Sequence, residues 1–471
     1  NLRKIYYHYL KSVTNDFVAD PLGTDLEMTH IKTANELIEK INAKPYGYYI
    51  LDNDIDFTGI DACVTNTFMG ILDGNGHKIL NNTNSIFQKI RYGYVRNLKF
   101  EGANIPKNIT NIGFLAKQTQ HSTLIDIDVK NSKINSAGRN DINLIAGATN
   151  TLVYENCNVE HLVANISNAS EFVSKIQEDT SGEFNITADI DFADYTSTSS
   201  AVITNTFNGT FENAVIENFS NSSTGRGSGN FVTIFAQETN KAIVKNVTFK
   251  DVTLSGANNV AVVAGMDGKT NANSTFENIS VKNANVKGSG VYVSTFIGRK
   301  YGGSIKNVYV QGTLNITTTE NGGLVGTIQQ GGSGSYENII TDVDINKPRN
   351  TYSNVANSVF NGSLIGMIYT NPVIKNCVSF GNMTGYTDGS GNKILPYKCI
   401  GAAENLITAC LTKCYEITES VGASRVTANT AGHLDTVSRS TLNSNFYKDL
   451  GFSEELWDFT TIATKGYPTL K

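Results

Sequence analysis

The 471-residue chain has little charge, a single Trp and no long apolar run. Charged residues make up 17% of it, and the formal net charge of -5 is not accompanied by a basic cluster. Binding to nucleic acid through phosphate neutralisation is therefore disfavoured. No apolar run reaches the roughly 18 residues that a membrane-spanning helix requires, so we expect no membrane insertion.

Asn, Ser, Thr and Gly fill the polar positions that charged residues leave open. This composition favours β-structure with many tight turns over a helical enzyme, whose exposed helix faces usually carry Lys and Glu. Hydrophobic residues amount to 40%, which is enough to bury a core and to exclude wholesale disorder. The length allows one large domain or two to three ordinary ones.

A short pattern, apolar-x-Asn-apolar-x-apolar, recurs along the chain, as in VKNVTF at 244–249 and FENISV at 276–281. Most copies follow a strand-like segment rich in small residues, such as NGGLVG at 321–326. Within two runs the copies are separated by 29 to 38 residues. The polar residue at the centre of each copy is one of Asn97, Asp126, Asn156, Asn246, Asn278, Asn307, Asn338 and Asn376.

A unit of about 30 residues with two or three short strands cannot bury its own apolar side and must stack on copies of itself. The pattern therefore predicts an all-β fold, a right-handed parallel β-helix (β-solenoid) of about 30-residue coils. Equivalent residues on neighbouring coils would lie about 4.8 Å apart. We expect the eight recurring polar residues to form an inward-facing structural ladder, with their side chains hydrogen-bonded along the stack.

A longer duplication is also present, because TANELIEKI at 33–41 matches NASEFVSKI at 168–176 and YYILDNDIDF at 48–57 matches EFNITADIDF at 183–192. Each copy begins with a predicted amphipathic helix, capped near Thr33 or Asn168. The duplication predicts two related modules with short capping helices. We expect an N-terminal cap at 1–30, β-helical modules at 31–165 and 166–435, and a C-terminal cap at 436–471, because exposed strand edges must be covered.

Six Cys residues form no zinc-binding pattern. Cys157 and Cys377 each follow a ladder residue at a position that is apolar in other coils, so we expect buried thiols that act as small hydrophobes. An alignment of the next coil places Cys410 beside Cys377, within disulfide range if the coils are adjacent.

Two motifs contain residue types that are found in metal sites or in carbohydrate enzymes. Asp52, Asp54 and Asp56 alternate like ligands of a hard cation, but the second copy keeps only Asp189 and Asp191. The turn LDGNGH at 72–77 is similar to turns of β-helical carbohydrate enzymes, but the duplicate lacks it. Solvated carboxylates and a locally shaped turn explain both motifs, and we predict no metal site and no cofactor.

The stretch IKTANELIEKINAKPYGYYILDNDIDF, with TFMGILDGNGHKI and YVRNLKFEGANI after it, resembles the N-terminal region of the streptococcal-type immunoglobulin A-cleaving zinc metalloproteases. NGGLVG resembles the GLUG motif of those proteases and of bacterial surface adhesins. The resemblance implies a secreted or cell-surface bacterial protein whose β-helical part engages a host glycoprotein. It runs from about residue 31 to the C-terminus and is specific for the array rather than for an activity.

The catalytic domain of that family carries a His-Glu-x-x-His zinc site, which this chain lacks. No two of its His residues are four apart; they are His8, His30, His77, His121, His161 and His433. We therefore predict no catalytic residue and an extracellular recognition or adhesion function towards a host glycoprotein or glycan, in a monomer or as part of a larger chain. The alternatives are a β-helical polysaccharide lyase or glycoside hydrolase, which needs paired carboxylates in a groove, and a purely structural stalk.

Overall fold

The computed structural model describes ten stretches of the chain, which are residues 28–105, 112–134, 141–196, 201–225, 231–268, 273–329, 334–347, 360–403, 411–423 and 434–471. Residues 1–27 of the predicted N-terminal cap lie outside them. The described part is nearly all β, and its strands pair in parallel apart from two short antiparallel pairs. The chain divides into two compact units, Asn1–Val163 and Ala164–Lys471, called unit 1 and unit 2 below.

The described residues of unit 1 form two helices, α1 (Ala34–Ala43) and α2 (Asp141–Ala146). Its described strands belong to one ten-stranded sheet. They are β1 (Met28–Ile31), β2 (Tyr48–Leu51), β3 (Ile55–Asp56), β4 (Ile71–Asp73), β5 (Lys78–Leu80), β6 (Phe87–Arg91), β7 (Tyr94–Glu101), β8 (Ala116–Ser132), β9 (Ala148–Glu155) and β10 (Asn158–His161).

Unit 2 contains the helices α3 (Ala169–Glu178), α4 (Ser444–Asp449) and α5 (Ile462–Lys465). Its described strands are β11 (Ala164–Ile166), β12 (Phe184–Ile186), β13 (Ile190–Asp191), β14 (Ala201–Phe207), β15 (Thr210–Glu217), β16 (Ser220–Ser222), β17 (Val232–Thr239), β18 (Ile243–Gly256), β19 (Val260–Ala261), β20 (Ala264–Asp267), β21 (Thr275–Gly288), β22 (Ile297–Lys300), β23 (Gly303–Ile316), β24 (Asn321–Gly322), β25 (Val325–Ile328), β26 (Gly334–Asn346), β27 (Asn361–Gly362), β28 (Ile365–Ile368), β29 (Val373–Ser379), β30 (Met383–Thr384), β31 (Tyr386–Thr387), β32 (Lys393–Ile394), β33 (Ile400–Ala403), β34 (Leu411–Ile417), β35 (Leu434–Val437), β36 (Trp457–Asp458) and β37 (Thr469–Leu470).

The strands of unit 2 pair with their equivalents one repeat later. One sheet runs in the order β13-β15-β18-β21-β23-β26-β29-β34-β35, and a second runs β14-β17-β20-β22-β25-β28-β33. Apolar side chains therefore stack in columns between the sheets, for example Phe276, Ile305 and Tyr336. Each repeat thus supplies one layer of a shared core that it could not bury alone.

The helices α1 and α3 have the same caps, as the duplication predicts. The Thr33 and Asn168 side chains accept from the backbone N–H groups of Glu36 and Glu171. Each Glu reaches back to the backbone N–H just before the cap, at 2.8 Å in both helices. This reciprocal arrangement satisfies donors at the helix start that have no partner within the helix.

The Gly-rich segments form tight arches in which backbone packs on backbone. A Cβ atom at Gly326 would lie 2.5 Å from the carbonyl oxygen of Gly298 and 3.1 Å from that of Glu320. A Cβ atom at Gly366 would likewise lie 2.5 Å from the Asn321 carbonyl oxygen. The second Gly of the GLVG segment is therefore required because no side chain fits between the strand and the chain that crosses it.

The C-terminal residues 438–471, called the lid segment below, pack on the side of the stack. Their apolar side chains, including Tyr447 and Trp457, form one cluster with Tyr309, Ile340 and Val378, which point outward from stacked strands. The sequence suggested a cover for the open strand edge at 436–471. In the structure these residues cover an outward apolar column, which explains why that column can be apolar in these coils.

Candidate functional site

A file of Asn side chains runs along unit 2. The Nδ2 group of Asn278 donates to Oδ1 of Asn246 at 2.9 Å, and Asn307 donates to Asn278 at 2.9 Å. Asn338 and Asn376 extend the file at 3.0 Å each. The partners are 32, 29, 31 and 38 residues apart. The structure therefore brings the five unit 2 residues of the expected ladder into one hydrogen-bonded row.

The sequence analysis did not predict one further member of this Asn file, nor the residue at which the file ends. Asn213 accepts from Asn246 at 2.9 Å and precedes the first residue assigned from sequence. Register places Lys413 one coil after Asn376, where its ammonium donates to the Asp449 carbonyl oxygen in the lid segment. The sequence Phe-Glu-Asn at 211–213 identifies Asn213 as a member of the file, since it repeats Phe-Glu-Asn at 276–278.

The ladder residues do not all face inward, unlike the inward-facing ladder expected from the sequence. All eight have φ between 49° and 57°, the left-handed region. Asn156 lies between β9 and β10, and the other seven lie at a corner where a single strand bends. Asp126, Asn156 and Asn246 are exposed, whereas Asn307 and Asn338 are buried. Asn and Asp tolerate this backbone better than other non-Gly residues do. The recurrence of Asn therefore reflects the corner as well as the hydrogen-bonded row.

In unit 1 the same corner is less regular. Asn97 donates to Oδ1 of Asp73 at 3.3 Å, and Asn156 donates to Asp126 at 3.0 Å. Asp73 is nearly buried and also accepts from Arg96 Nε at 2.8 Å. The unit 1 members thus mix carboxylates with amides, unlike the uniform amide row of unit 2.

A groove of about 680 Å³, whose accessible lining surface is mostly apolar, lies on another face of unit 2. Its main row consists of in-register residues from five successive coils, which are Ser255, Lys287, Asn315, Asn346 and Thr384. At the roughly 4.8 Å spacing of neighbouring strands, this row is about 19 Å long. Its other lining residues are Thr253, Leu254, Gly256, Asn285, Gly288, Ser289, Ile316 and Thr317.

Amides line the centre of the groove. Asn346 donates to Asn315 at 3.1 Å, and Asn315 donates to Asn285 at 3.2 Å. An amide has two N–H donors and two acceptor lone pairs, so each keeps capacity for a ligand. Lys287 is exposed and brings the single charge among the lining residues that the structure describes. That lining contains no Asp or Glu.

Beside the Asn file, a column of alternating charge follows the stack. Register aligns Glu212, Lys245, Glu277, Lys306, Glu337 and Lys375. Lys245 pairs with Glu277 at 3.2 Å, and Lys375 pairs with Glu337 at 3.2 Å. In the sequence, the residue before each Asn of the unit 2 file alternates between Glu and Lys. This alternation becomes informative only once the coils are aligned.

The alternating carboxylates of unit 1 have separate partners. Asp52 accepts from His30 Nδ1 at 2.5 Å, and this hydrogen bond is the main reason that the pKa of Asp52 is lowered. Asp54 lies 3.3 Å from His77 Nδ1, whereas Asp56 accepts from Thr58. In the described part of the chain, no group of three or more His, Cys, Asp or Glu residues has a geometry that could hold a metal ion.

The described cysteines are free thiols. Cys377 is buried, and burial raises its pKa well above the ordinary value. Cys157 is only half-buried and packs against the unit 1 core. Register places Cys414 beside Cys377, which corrects the alignment that chose Cys410, a residue outside the described stretches.

The geometry defines a class of protein, a nearly all-β chain of stacked repeats with a groove whose described lining residues include no carboxylate. Residues 27–131 match the family model of the M26 IgA1-specific metallo-endopeptidase N-terminal region. The resemblance drawn from the sequence is confirmed over those residues. No helix among the described residues is long and apolar enough to cross a membrane.

Two further proteins are similar to this chain. An endo-polygalacturonase of Sclerotinia sclerotiorum is 27% identical over 257 residues, or 53% of this chain. The match spans 63% of that enzyme, which is less than two thirds of its length. A candidate immunoglobulin A1 protease from Bacteroides ovatus aligns over 95% of this chain and 94% of its own, at 15% identity and a TM-score of 0.30. A TM-score this low does not establish a shared fold.

Proposed function

We propose that the chain is a non-catalytic extracellular recognition protein that binds an extended acidic glycan in the groove of unit 2. The single observation that carries this proposal is the groove itself, in which five coils each present a hydroxyl, amide or ammonium group in register. A ligand with polar groups at regular intervals could bond to several coils at once. Each further coil then adds contact area.

The charge of the groove selects the class of glycan. Lys287 lies in the main row, and no described lining residue is a carboxylate. The exposed Asp344 borders the groove, since it is in register with the lining residue Asn285 through Thr313, but it accepts from the backbone N–H of Asn382. An ammonium group favours a carboxylate on the ligand, and charge-assisted hydrogen bonds are about twice as strong as neutral ones. A uronate-containing chain therefore fits this groove better than a neutral one.

The proposed architecture is a pair of right-handed parallel β-helices, one in each unit. Parallel pairing of equivalent strands about one repeat apart supports it. The right hand follows from the strong preference of crossovers between parallel strands in one sheet. In this architecture the Asn file has a structural role, because its amides already bond to one another along the corner.

The match of residues 27–131 supports a more specific version of the proposal. In that version the chain is bacterial, secreted or held at the cell surface, and engages a host glycoprotein for an immunoglobulin-cleaving metalloprotease. Titration of immunoglobulin A1 with the isolated chain tests this version separately. Binding that an excess of free acidic glycan abolishes would support glycan-directed engagement, and absence of binding would leave only the general proposal.

The main alternative is a β-helical enzyme that cleaves an acidic glycan. The similarity to an endo-polygalacturonase favours it. Hydrolysis of a glycosidic bond commonly uses two carboxyl groups, about 5 to 9.5 Å apart, on either side of the scissile bond. The described lining of the groove has no such pair, which is why we place binding ahead of cleavage.

Polygalacturonate is the probe that separates the two. We expect the isolated chain to bind it without releasing new reducing ends, and we expect Lys287→Gln to weaken binding about tenfold, or 1.4 kcal/mol. The matched control is Lys306→Gln, which removes an exposed Lys from a different face of the same unit. Release of reducing ends would support the enzyme, and equal effects of the two substitutions would contradict binding in the groove.

A further inference from the structure

A buried ion pair interrupts the apolar core of unit 2. Asp267 and Lys300 are both 0% exposed, and Lys300 Nζ lies 2.5 Å from Asp267 Oδ2. The two residues are in register on the neighbouring strands β20 and β22. The next two coils carry Ile328 and Ile368 at this position. The pair therefore replaces what is an apolar contact elsewhere in the same column.

The described surroundings of the pair are buried and include aromatic rings. Thr239 Oγ1 donates to Asp267 Oδ1 at 2.8 Å, and the centre of the Phe276 ring lies 5.1 Å from Lys300 Nζ. The hydroxyl of Tyr336 is buried and has no hydrogen-bond partner among the described residues. Burial and the nearby Asp267 charge raise the pKa of Tyr336 well above its ordinary value.

Two opposite charges in such a site are costly to keep. Removing both ions from water carries a large desolvation penalty, which their attraction repays only in part. Transfer of one proton from the ammonium to the carboxylate yields a neutral amine and a neutral acid at the same distance. In the neutral form the amine nitrogen carries a free electron pair that can add to the carboxyl carbon.

We propose that Lys300 and Asp267 are joined by an intramolecular isopeptide bond. The Lys300 nitrogen attacks Cγ of Asp267, the C–N bond forms, and the Cγ–Oδ2 bond breaks. The departing oxygen leaves as one water molecule with two protons, both taken from the former ammonium group. The sum is ammonium plus carboxylate giving amide plus water, and it requires no oxidant, reductant or co-substrate.

One neighbouring hydroxyl assists this step. The Thr239 O–H, already bonded to Oδ1, stabilises the charge that develops on that oxygen when the nitrogen adds. The resulting amide has no net charge and links two neighbouring coils through residues 33 apart. Such a bond resists the separation of those coils under heat, denaturant or pulling force.

Intact-mass spectrometry of the full chain tests the proposal directly. We expect the purified, fully unfolded protein to be lighter than its sequence by the mass of one water. After tryptic digestion we expect peptide 251–269 to be joined to peptide 300–306, because trypsin cannot cleave after a Lys whose amine is acylated. A mass equal to the sequence, together with separate peptides and cleavage after Lys300, would overturn the proposal.

Variants give an independent check. Lys300→Arg keeps the positive charge but cannot form this amide, so its mass should equal its sequence. The matched control is Lys398→Arg, because Lys398 is also buried but donates to backbone carbonyl oxygens rather than to a carboxylate. That variant should still lose one water. Loss of one water in Lys300→Arg would assign the modification to another pair and contradict the proposal.

Discussion

At the residue scale, the corner Asn residues combine two properties that no other common residue has together. Their backbone lies in the left-handed region, and their amides bond to the coils on both sides. Gly satisfies the first requirement alone, and Gln or Ser would serve only as hydrogen-bonding groups. This dual demand explains why Asn recurs at the position with so few replacements.

The corner can be tested at Asn278, which donates to Asn246 and accepts from Asn307. We expect Asn278→Ala to lower the free energy of unfolding by about 3 kcal/mol, since a left-handed non-Gly residue costs about 1 to 2 kcal/mol and each lost hydrogen bond about 1 kcal/mol. Asn278→Gly should cost about 1 kcal/mol less. Urea denaturation of both variants measures the difference, and equal losses would show that the backbone conformation is unimportant.

The arch glycines give a second test. We expect Gly326→Ala to lower the free energy of unfolding by about 2 kcal/mol or more, because the added methyl group would overlap backbone oxygens that cannot move aside. The control is Gly389→Ala, where nothing lies within 4 Å of the added Cβ atom. A small and equal effect of both substitutions in urea denaturation would contradict the close backbone packing described for the arch.

At the scale of strands and segments, alternating charge keeps neighbouring coils compatible. Each acidic residue of the column has a basic one on the next coil, as in the pairs Lys245–Glu277 and Glu337–Lys375. Like charges directly opposite on paired strands are destabilising. A coil that skipped one position in the stack would place Glu opposite Glu or Lys opposite Lys. The column therefore favours the correct order of coils.

Reversing one charge should show this effect. We expect Glu277→Lys, which places three Lys residues in a row with Lys245 and Lys306, to lower the free energy of unfolding by about 1 kcal/mol more than Glu277→Gln does. The difference should shrink when salt is raised to 1 M, because screening is strong at that ionic strength. A difference that salt leaves unchanged would point to packing rather than charge.

The lid segment adds a pH-dependent contact. Burial raises the pKa of Asp342 above 3.8, partly opposed by its hydrogen bond from Tyr467 and by the charges of Arg439 and Lys465. Asp344 raises it further. Folding therefore favours the protonated carboxyl, and this contribution to stability is complete below pH 3.8 and is lost as the pH rises through the raised value.

Substitution of Asp342 isolates that contribution. We expect Asp342→Asn to unfold at a higher temperature than the parent at pH 7 and at a similar temperature at pH 3.5. Carboxylates with lowered pKa values, such as Asp52 and Asp56, have the opposite dependence but are present in both proteins. Their effect cancels in the comparison. A temperature difference that does not depend on pH would contradict the assigned cause.

Much of the repeat was readable from sequence, and the misses have physical causes. Three features depend on local chemistry and can be read from the residue types. They are the apolar alternation, the helix caps at Thr33 and Asn168, and the close-packed Gly of the arch. The partly outward direction of the Asn corner does not follow from spacing, because a strand pattern gives alternation but not the bend that separates two faces. The Asp267–Lys300 pair was missed because only coil register brings these distant residues together.

At the scale of the whole molecule, the groove is a product of stacking rather than of any one repeat. Its residues come from five coils, and no coil contributes more than a small patch. Sequence reasoning did not find it, since Ser, Thr and Asn are common throughout the chain and only register places them in one row. The alternating charge column lies on another face of unit 2, so its carboxylates do not line the groove.

Calorimetric titration of the full chain with oligogalacturonates of increasing length tests binding along the stacked coils most directly. The proposed groove predicts that affinity rises with each added sugar until the oligomer spans about 19 Å, and then levels off. It also predicts that Lys287→Gln weakens binding of the long oligomers while Lys306→Gln does not. Affinity that is independent of length, or no binding of any oligomer, would contradict the account.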